Sequence, residues 1–496
     1  MSALSASGRR SVLVITLDGA SWDGLKPWLA SGKMPAFAKL AASGASGVLE
    51  MVAPTLVYPN WATFWTGQKP NQHMIYAFRP PPYDGGEEQL VDAGDLKQSS
   101  WLKLVSDSGR RVMSLFAQLT YPPQPLNGAI VSELHTRDAK DFIQPPSLYH
   151  ELVAKLGELH VPRSEQFFPE GGFKSAADLE TFIKKQIESI EKTTELAKEL
   201  FARPAYDASV VHLFATDPLQ HALWHGIDRS HPAFDEKVHA QVGEFFQALD
   251  RAVDELIRSA QASVVLVCSS HGFTSCRKVL NLVRCLKEAD VIRPLSGARR
   301  AIRRVLWSRI RGMRRIRQML SSASENFREI VEGPAWSPPG VLVDFKAIYI
   351  RKSSSRSRLV EKVVQALEEV RDPETNQRVV RKAWRASELY GPLAVSDVEV
   401  IVPEFEQGYS SRTGSMDSQI FVSYQPNRDY LIGTHTLNGL WAFAGDDTLS
   451  MKRTAGIAEL APTLLAYLGI PIPAYMKCAP LPIFKSAGET ISTRAV

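Results

Sequence analysis

Four separated segments of this chain place a carboxylate or an imidazole just after an apolar, strand-like run. They are Asp18 in VLVITLDGAS, Asp217 and His221 in HLFATDPLQHALWHGID, His271 in VVLVCSSHGF, and His435 in LIGTHTLNGLWAFAG. Asp217 and His221 lie four apart, so a helix presents a carboxylate oxygen and an imidazole nitrogen on one face. Mixed oxygen and nitrogen donors suit zinc or a similar divalent ion, which polarises a phosphoryl group and activates a nucleophile. Taken singly, each residue has a structural reading. An Asp after a strand caps a helix or forms a turn, and His225, which extends the stripe of Asp217 and His221, reads as a packed or surface histidine. The agreement of strand-end context across all four segments is what points to a metal site, because open α/β sheets bind ligands at that edge.

The elements that must position these groups are legible as well. Residues 11–17 form an apolar, β-branched run without alternation, as in a strand buried on both faces of a parallel sheet. A helix is expected over PAFAKLAAS. Further buried-strand runs occur at GAIVSEL, ASVVHLFA, ASVVLVCSS and VEVIVPEF, separated by helical stretches such as DLETFIKKQIESIEKTTELAKELFA and VHAQVGEFFQALDRAVDELIRSAQ. Beyond GPAWSPPG, VLVDFKAIYI reads as a strand, LVEKVVQALEEVRDP as a helix, and AGIAELAPTLLAYLGIP as a helix stopped by Gly469 and Pro471. The alternation predicts an α/β fold with a doubly wound, mostly parallel sheet and an inserted helical cap. The expected division is a first core part over 9–290, a basic cap over 291–340, a second core part over 341–485 and a tail over 486–496.

At 496 residues, 44% hydrophobic and 22% charged, the chain can bury a large core. The net charge of +5 is local in origin: nine arginines fall between Arg299 and Arg317, and the remainder sums to 5 − 9 = −4. In that segment apolar residues recur at spacings of three and four, which predicts an amphipathic helix. Its basic face is read as solvated, with docking on an anionic membrane surface as the alternative. No motif for sequence-specific nucleic-acid recognition accompanies the charge. Cys268, Cys276, Cys285 and Cys478 lack CxxC spacing, so no disulfide framework is expected. No apolar run approaches the roughly 20 residues of a membrane span, and the expected location is cytoplasmic, with peripheral membrane contact left open.

The segments LDGASWD, PTLVYPNWATFWTGQKPNQHMIYAF, TDPLQHALWHGIDRSHPAFD, SSHGF, RDPETNQRVV, ELYGP, GTH and APTLLAYLGIPIP together resemble the alkaline phosphatase superfamily. Within it, the chain is similar to the bacterial and archaeal proteins of the type I phosphodiesterase/nucleotide pyrophosphatase kind. The resemblance implies a site for two divalent metals, usually zinc, and a Thr or Ser that takes the phosphoryl group covalently. Asp217, His221 and His435 match the ligands of one metal, and Asp18 and His271 match two ligands of the other. Asn60 matches the asparagine of the PN step, implied to help hold phosphate oxygens.

The departures fall at the reacting centre. Val57 stands where the resemblance implies the Thr or Ser nucleophile, and it has no oxygen to attack phosphorus or bind metal. Ser270 stands where Asp precedes His-Gly, and MKC replaces the usual MDG after the last helix. Thr55 is a candidate substitute nucleophile, but two residues of extended chain place it roughly 6.6 Å from position 57, and a 1 Å misplacement costs about 10²-fold. One zinc ion is expected at the complete set, with a second at the depleted set as the alternative. The leading expectation is a degenerate member that binds phosphate esters or nucleotides at a residual metal site. An active hydrolase using a metal-bound hydroxide is the alternative, and a phosphoryl or phospho-alcohol transferase at a membrane surface is the third.

Overall fold

The computed structural model describes residues 10–79, 90–133, 141–159, 161–162, 172–295, 336–337, 340–351, 356–424, 426, 431–445 and 447–485. The basic segment 299–317, most of the expected cap over 291–340, and the tail 486–496 lie outside the described residues. The chain divides into two compact units, residues 1–75, 91–277 and 424–496, and residues 76–90 and 278–423.

The first unit is built on a mostly parallel sheet. Its strands, in chain order, include β1 (Val12–Leu17), β2 (Ala45–Glu50), β3 (Val112–Leu115), β4 (Gly128–Val131), β5 (Ile143–Gln144), β6 (Ala208–Leu213) and β7 (Val264–Ser269). Across the sheet the order is Met451–Lys452, β2, Asn438–Gly445, β7, β1, β6, β3, β4, β5. The pairs β7–β1, β1–β6, β6–β3 and β3–β4 are parallel, whereas Asn438–Gly445 runs antiparallel to both β2 and β7. All six residues of β1, β6 and β7 are buried, as continuous apolar runs require when helices cover both faces.

The helices that the sequence predicts form at Pro35–Ser43, Ala176–Phe201 and Glu236–Ala260. Asp250 of the last helix accepts hydrogen bonds from Ala36 and Phe37 N, capping the exposed amides of Pro35–Ser43 from another element. The helix Leu460–Leu468 ends at Gly469, whose φ of +69° closes the last turn.

The second unit holds a four-stranded antiparallel sheet, ordered Val341–Asp344, Ala347–Arg351, Val398–Phe405, Val380–Arg385, with the helix Arg356–Glu369 packed into its apolar cluster. VEVIVPEF therefore belongs to this sheet and not to the parallel one. Continuous burial marks a covered strand without stating its direction. VLVDFKAIYI, read as one strand, is a hairpin that turns at Phe345, whose φ is +47°. In RDPETNQRVV, burial raises the carboxyl pKa of Asp372, but Lys278 at 2.7 Å and the Tyr409 hydroxyl at 2.7 Å hold it down to about 2.

His73 locks the helix Val57–Thr66 to the turn that follows it. Its Nδ1 accepts from Ile75 N at 3.1 Å, so Nε2 carries the proton and meets Thr63 Oγ1 at 3.1 Å, while Thr63 donates to Pro59 O. Burial pushes the His73 pKa down from 6.5 to about 3. The unfolded chain therefore takes up a proton below pH 6.5 that the folded chain refuses, and stability falls as pH drops through the window from 6.5 to about 3. The expected slope from this residue is about 1.4 kcal/mol per pH unit. Urea melts of His73→Gln between pH 6 and 4 should show a flatter pH dependence than the parent, and an unchanged slope would rule this cause out.

Candidate metal centre

The loops leaving β1, β6 and β7 are knitted together at the carboxyl edge of three adjacent strands. Asp18 N donates to Leu213 O, Ser270 N to Leu17 O, and Ala20 N to His271 O. Gly19 follows Asp18 with φ +77°, and a Cβ there would lie 2.4 Å from both His271 Cε1 and Phe273 Cε2. Only glycine lets the β1 loop pass so close to the histidine that Asp18 must meet.

The helix Thr216–Ile227 starts just after β6 and carries Asp217 in its first turn and His221 one turn later. Thr216 Oγ1 donates to Asp18 O and Gln220 Nε2 to Gly19 O, which fixes this helix start against the β1 loop. His435 arrives on the strand Gly433–Thr436, which pairs antiparallel with the start of β8 (Gly272–Asn281) and sets His435 opposite Phe273. The His435 and His271 rings then stack with centroids 3.6 Å apart. All five residues read from the sequence as metal ligands thus meet in one place.

The protonation of this cluster follows from its hydrogen bonds. His221 Nδ1 faces Gly433 O at 2.7 Å, His435 Nδ1 faces Thr55 O at 3.2 Å, and His271 Nδ1 faces Gly272 O at 3.3 Å. A carbonyl can only accept, so Nδ1 of His221 and Nδ1 of His435 carry a proton, and each of these rings, when neutral, presents its Nε2 lone pair. Those lone pairs converge: His435 Nε2 lies 2.9 Å from His221 Nε2 and 3.0 Å from Asp217 Oδ1, and His221 Nε2 lies 3.4 Å from the same oxygen. Four-coordinate zinc with bonds of about 2.0–2.1 Å separates its ligand atoms by about 3.3 Å. Asp217, His221 and His435 therefore outline one face of such a tetrahedron, with a fourth corner left for another ligand. In the absence of a cation these acceptors would repel one another.

A second group, Asp18, Asp217 and His271, is also close enough to hold an ion. His271 Nε2 is 3.4 Å from Asp18 Oδ1 and 3.6 Å from Asp217 Oδ1, so Asp217 reaches toward both groups. The groups differ in access. The side chains of Asp217, His221 and His435 are 13%, 15% and 10% exposed, against 2% for Asp18 and 0% for His271.

The surroundings keep both carboxyls in the charged form that a divalent cation needs. Burial raises the Asp217 carboxyl pKa, but the imidazoles of His221 and His435 outweigh it and leave the group well below the usual carboxylate range. Burial and the charge of Asp217 push Asp18 up, and hydrogen bonds from His212 and His271 reverse that to a net lowering. Burial, and then the neighbouring His271, holds His435 well below the ordinary histidine value.

The other residues singled out in the sequence lie as follows. Val57 opens the helix Val57–Thr66, and Thr55 contributes its carbonyl to His435. Asn60 is fully buried and uses its side chain on the main chain: Oδ1 accepts from Val52 N and Nδ2 donates to Leu56 O, so it shapes the turn that presents Thr55. His225 is buried, as expected of a packed histidine. Two residues that sequence reasoning missed join the cluster. Gln118 Nε2 donates to Asp18 Oδ2 at 3.0 Å, and His212 Nε2 lies 3.7 Å from that oxygen. His212 was findable as the β6 residue opposite Thr16 of β1, whereas nothing in FAQLTYPP marked Gln118.

A mostly parallel sheet that gathers carboxylates and imidazoles at its carboxyl edge is the architecture of the alkaline phosphatase superfamily. Within that class, the family model for type I phosphodiesterase/nucleotide pyrophosphatase matches residues 12–436, and the chain belongs to this family. Among solved structures it is similar to an inactive murine ectonucleotide pyrophosphatase/phosphodiesterase 5 in complex with AMP, at 13% identity and TM-score 0.51, covering 93% of this chain and 96% of that one. It is also similar to phosphonoacetate hydrolase from Sinorhizobium meliloti 1021 in complex with phosphonoformate, at 15% identity and TM-score 0.57, with the same coverages. At these identities the likeness speaks for the fold. No curated protein matches the chain.

Zinc should raise the melting temperature of the metal-free chain, since a ligand that binds the folded form alone stabilises it. His435→Ala should weaken zinc binding by more than the roughly 10–100-fold typical of losing an outer-shell partner. Differential scanning calorimetry against zinc concentration checks this, and an undiminished thermal shift in the variant would remove His435 from the centre.

Proposed function

We propose that this chain binds phosphate esters, nucleotides among them, at one divalent-metal site made by Asp217, His221 and His435, and that it does not form a covalent phosphoryl intermediate. The observation that carries the reading is the convergence of the His221 and His435 Nε2 atoms on one Asp217 oxygen, an arrangement that a divalent cation makes favourable. A divalent ion there would supply Lewis acidity toward a phosphoryl oxygen. The protein groups would hold that ester in place: the His221 and His435 rings are clamped through Nδ1, and the side chains of Asp217, His221 and His435 keep 13%, 15% and 10% exposure. At Leu56, just ahead of Val57, no side chain caps the helix; uncapped amides of this kind favour an anion nearby.

The loss of covalent chemistry rests on Val57, whose aliphatic side chain offers no oxygen at the position implied for the nucleophile. Ser270 likewise replaces an anionic ligand with a neutral hydroxyl. The AMP and phosphonoformate held by the two structural neighbours are the ester and phosphonate chemistries to try first. A second reading, direct attack by water without a covalent stage, is favoured by one observation: three ligands with an open corner are also what single-step hydrolysis needs.

Isothermal titration with AMP, with and without zinc, should show zinc-dependent binding, and multiple-turnover assays with bis-p-nitrophenyl phosphate should show no release above the His435→Ala control. Turnover abolished by His435→Ala would overturn the binding-protein reading. Inversion at a chiral phosphorothioate would then establish direct attack by water, and retention would exclude it.

A further inference from the structure

We infer that Gln118 and Ser270 do with neutral hydrogen bonds what a second cation does in a two-metal site, so that the Asp18–His271 side of the cluster is built to hold no ion. This rests on the one-metal reading above and goes beyond it by naming what compensates Asp18. The distances within Asp18, Asp217 and His271 would admit a cation, so distance does not decide the matter. The donors around Asp18 supply the stabilisation that an ion would otherwise give. Oδ2 accepts from Gln118 Nε2 at 3.0 Å, and Oδ1 accepts from Ser270 Oγ at 3.1 Å. Both oxygens of a carboxylate that is 2% exposed are thereby engaged by protein protons, and hydrogen bonds to the charged form stabilise it without a counter-ion.

Ser270 is the pivotal substitution. A charged carboxylate at 270 could only accept, and facing Asp18 it would need a cation or a shared proton between the two. The serine hydroxyl turns the same position into a donor, and its backbone is fixed by Ser270 N donating to Leu17 O.

Gln118 is held for its role. It sits between Phe116 and Leu119, non-glycine residues with φ of +56° and +58°, and such backbone persists only where its surroundings enforce it. Trp65 Nε1 anchors the segment by donating to Gln118 O at 2.7 Å. Val57 fits the same account, because a nucleophile held by the second ion has no function once that ion is gone.

The experiment is zinc stoichiometry by elemental mass spectrometry on folded chain, combined with a stability cycle. The parent should hold one zinc per chain, and Val57→Thr/Ser270→Asp should hold two. Two ions in the parent would overturn this inference alone, whereas none would overturn the one-metal reading beneath it. A folded double variant that still holds one ion would also overturn the inference. If the double variant fails to fold, the cycle decides: Gln118→Leu should lower the melting temperature of the metal-free parent, and that drop should shrink by more than half in an Asp18→Asn background. An equal drop in both backgrounds would show that Gln118 does not serve the Asp18 charge.

Discussion

Two backbone carbonyls, those of Thr55 and Gly433, fix the imidazoles that face Asp217. Each takes the Nδ1 proton of one histidine and so turns the opposite nitrogen toward the carboxylate. Ring orientation, tautomer and charge are thus set by main chain, and main chain is set by the sheet. Gly433 illustrates the dependence: a Cβ there would lie 2.3 Å from Gln220 O, so only glycine lets this strand approach the helix closely enough for its carbonyl to reach His221.

Much of this was legible in the sequence, and the illegible part has a common cause. Asp18, Asp217, His221, His271 and His435 announced themselves because buried parallel strands read as unbroken apolar runs, and the polar residue that ends such a run stands at the sheet edge. Gln118 gave no signal, since it reaches Asp18 only because two residues near it adopt left-handed backbone, a property that Phe116 and Leu119 do not advertise. Asn60 has a duty the sequence did not announce. The family resemblance implies a contact with phosphate, and in the fold its amide holds the turn before the helix. VEVIVPEF was rightly seen as a covered strand but assigned to the wrong sheet, because burial on two faces does not reveal the partner or its direction.

Val57 and Ser270 are far apart in sequence, and the proposed one-metal reading draws on both. A two-ion phosphoryl-transfer cleft needs an oxygen nucleophile, a second cation and the carboxylates that hold that cation, and losing one makes the others useless or harmful. A lone buried carboxylate is costly unless it is hydrogen-bonded. Asp18 is held here by Gln118 and Ser270 as donors.

The strand Asn438–Gly445 separates β2 from β7 in the sheet, although those two strands were made some 390 and 170 residues earlier in chain order. During synthesis the amino-terminal half cannot close its sheet until residue 445 has emerged, and His435 emerges only shortly before. The nascent chain therefore carries an open sheet edge for most of its elongation, and His435 joins Asp217 and His221 only as the strand that links β2 to β7 emerges.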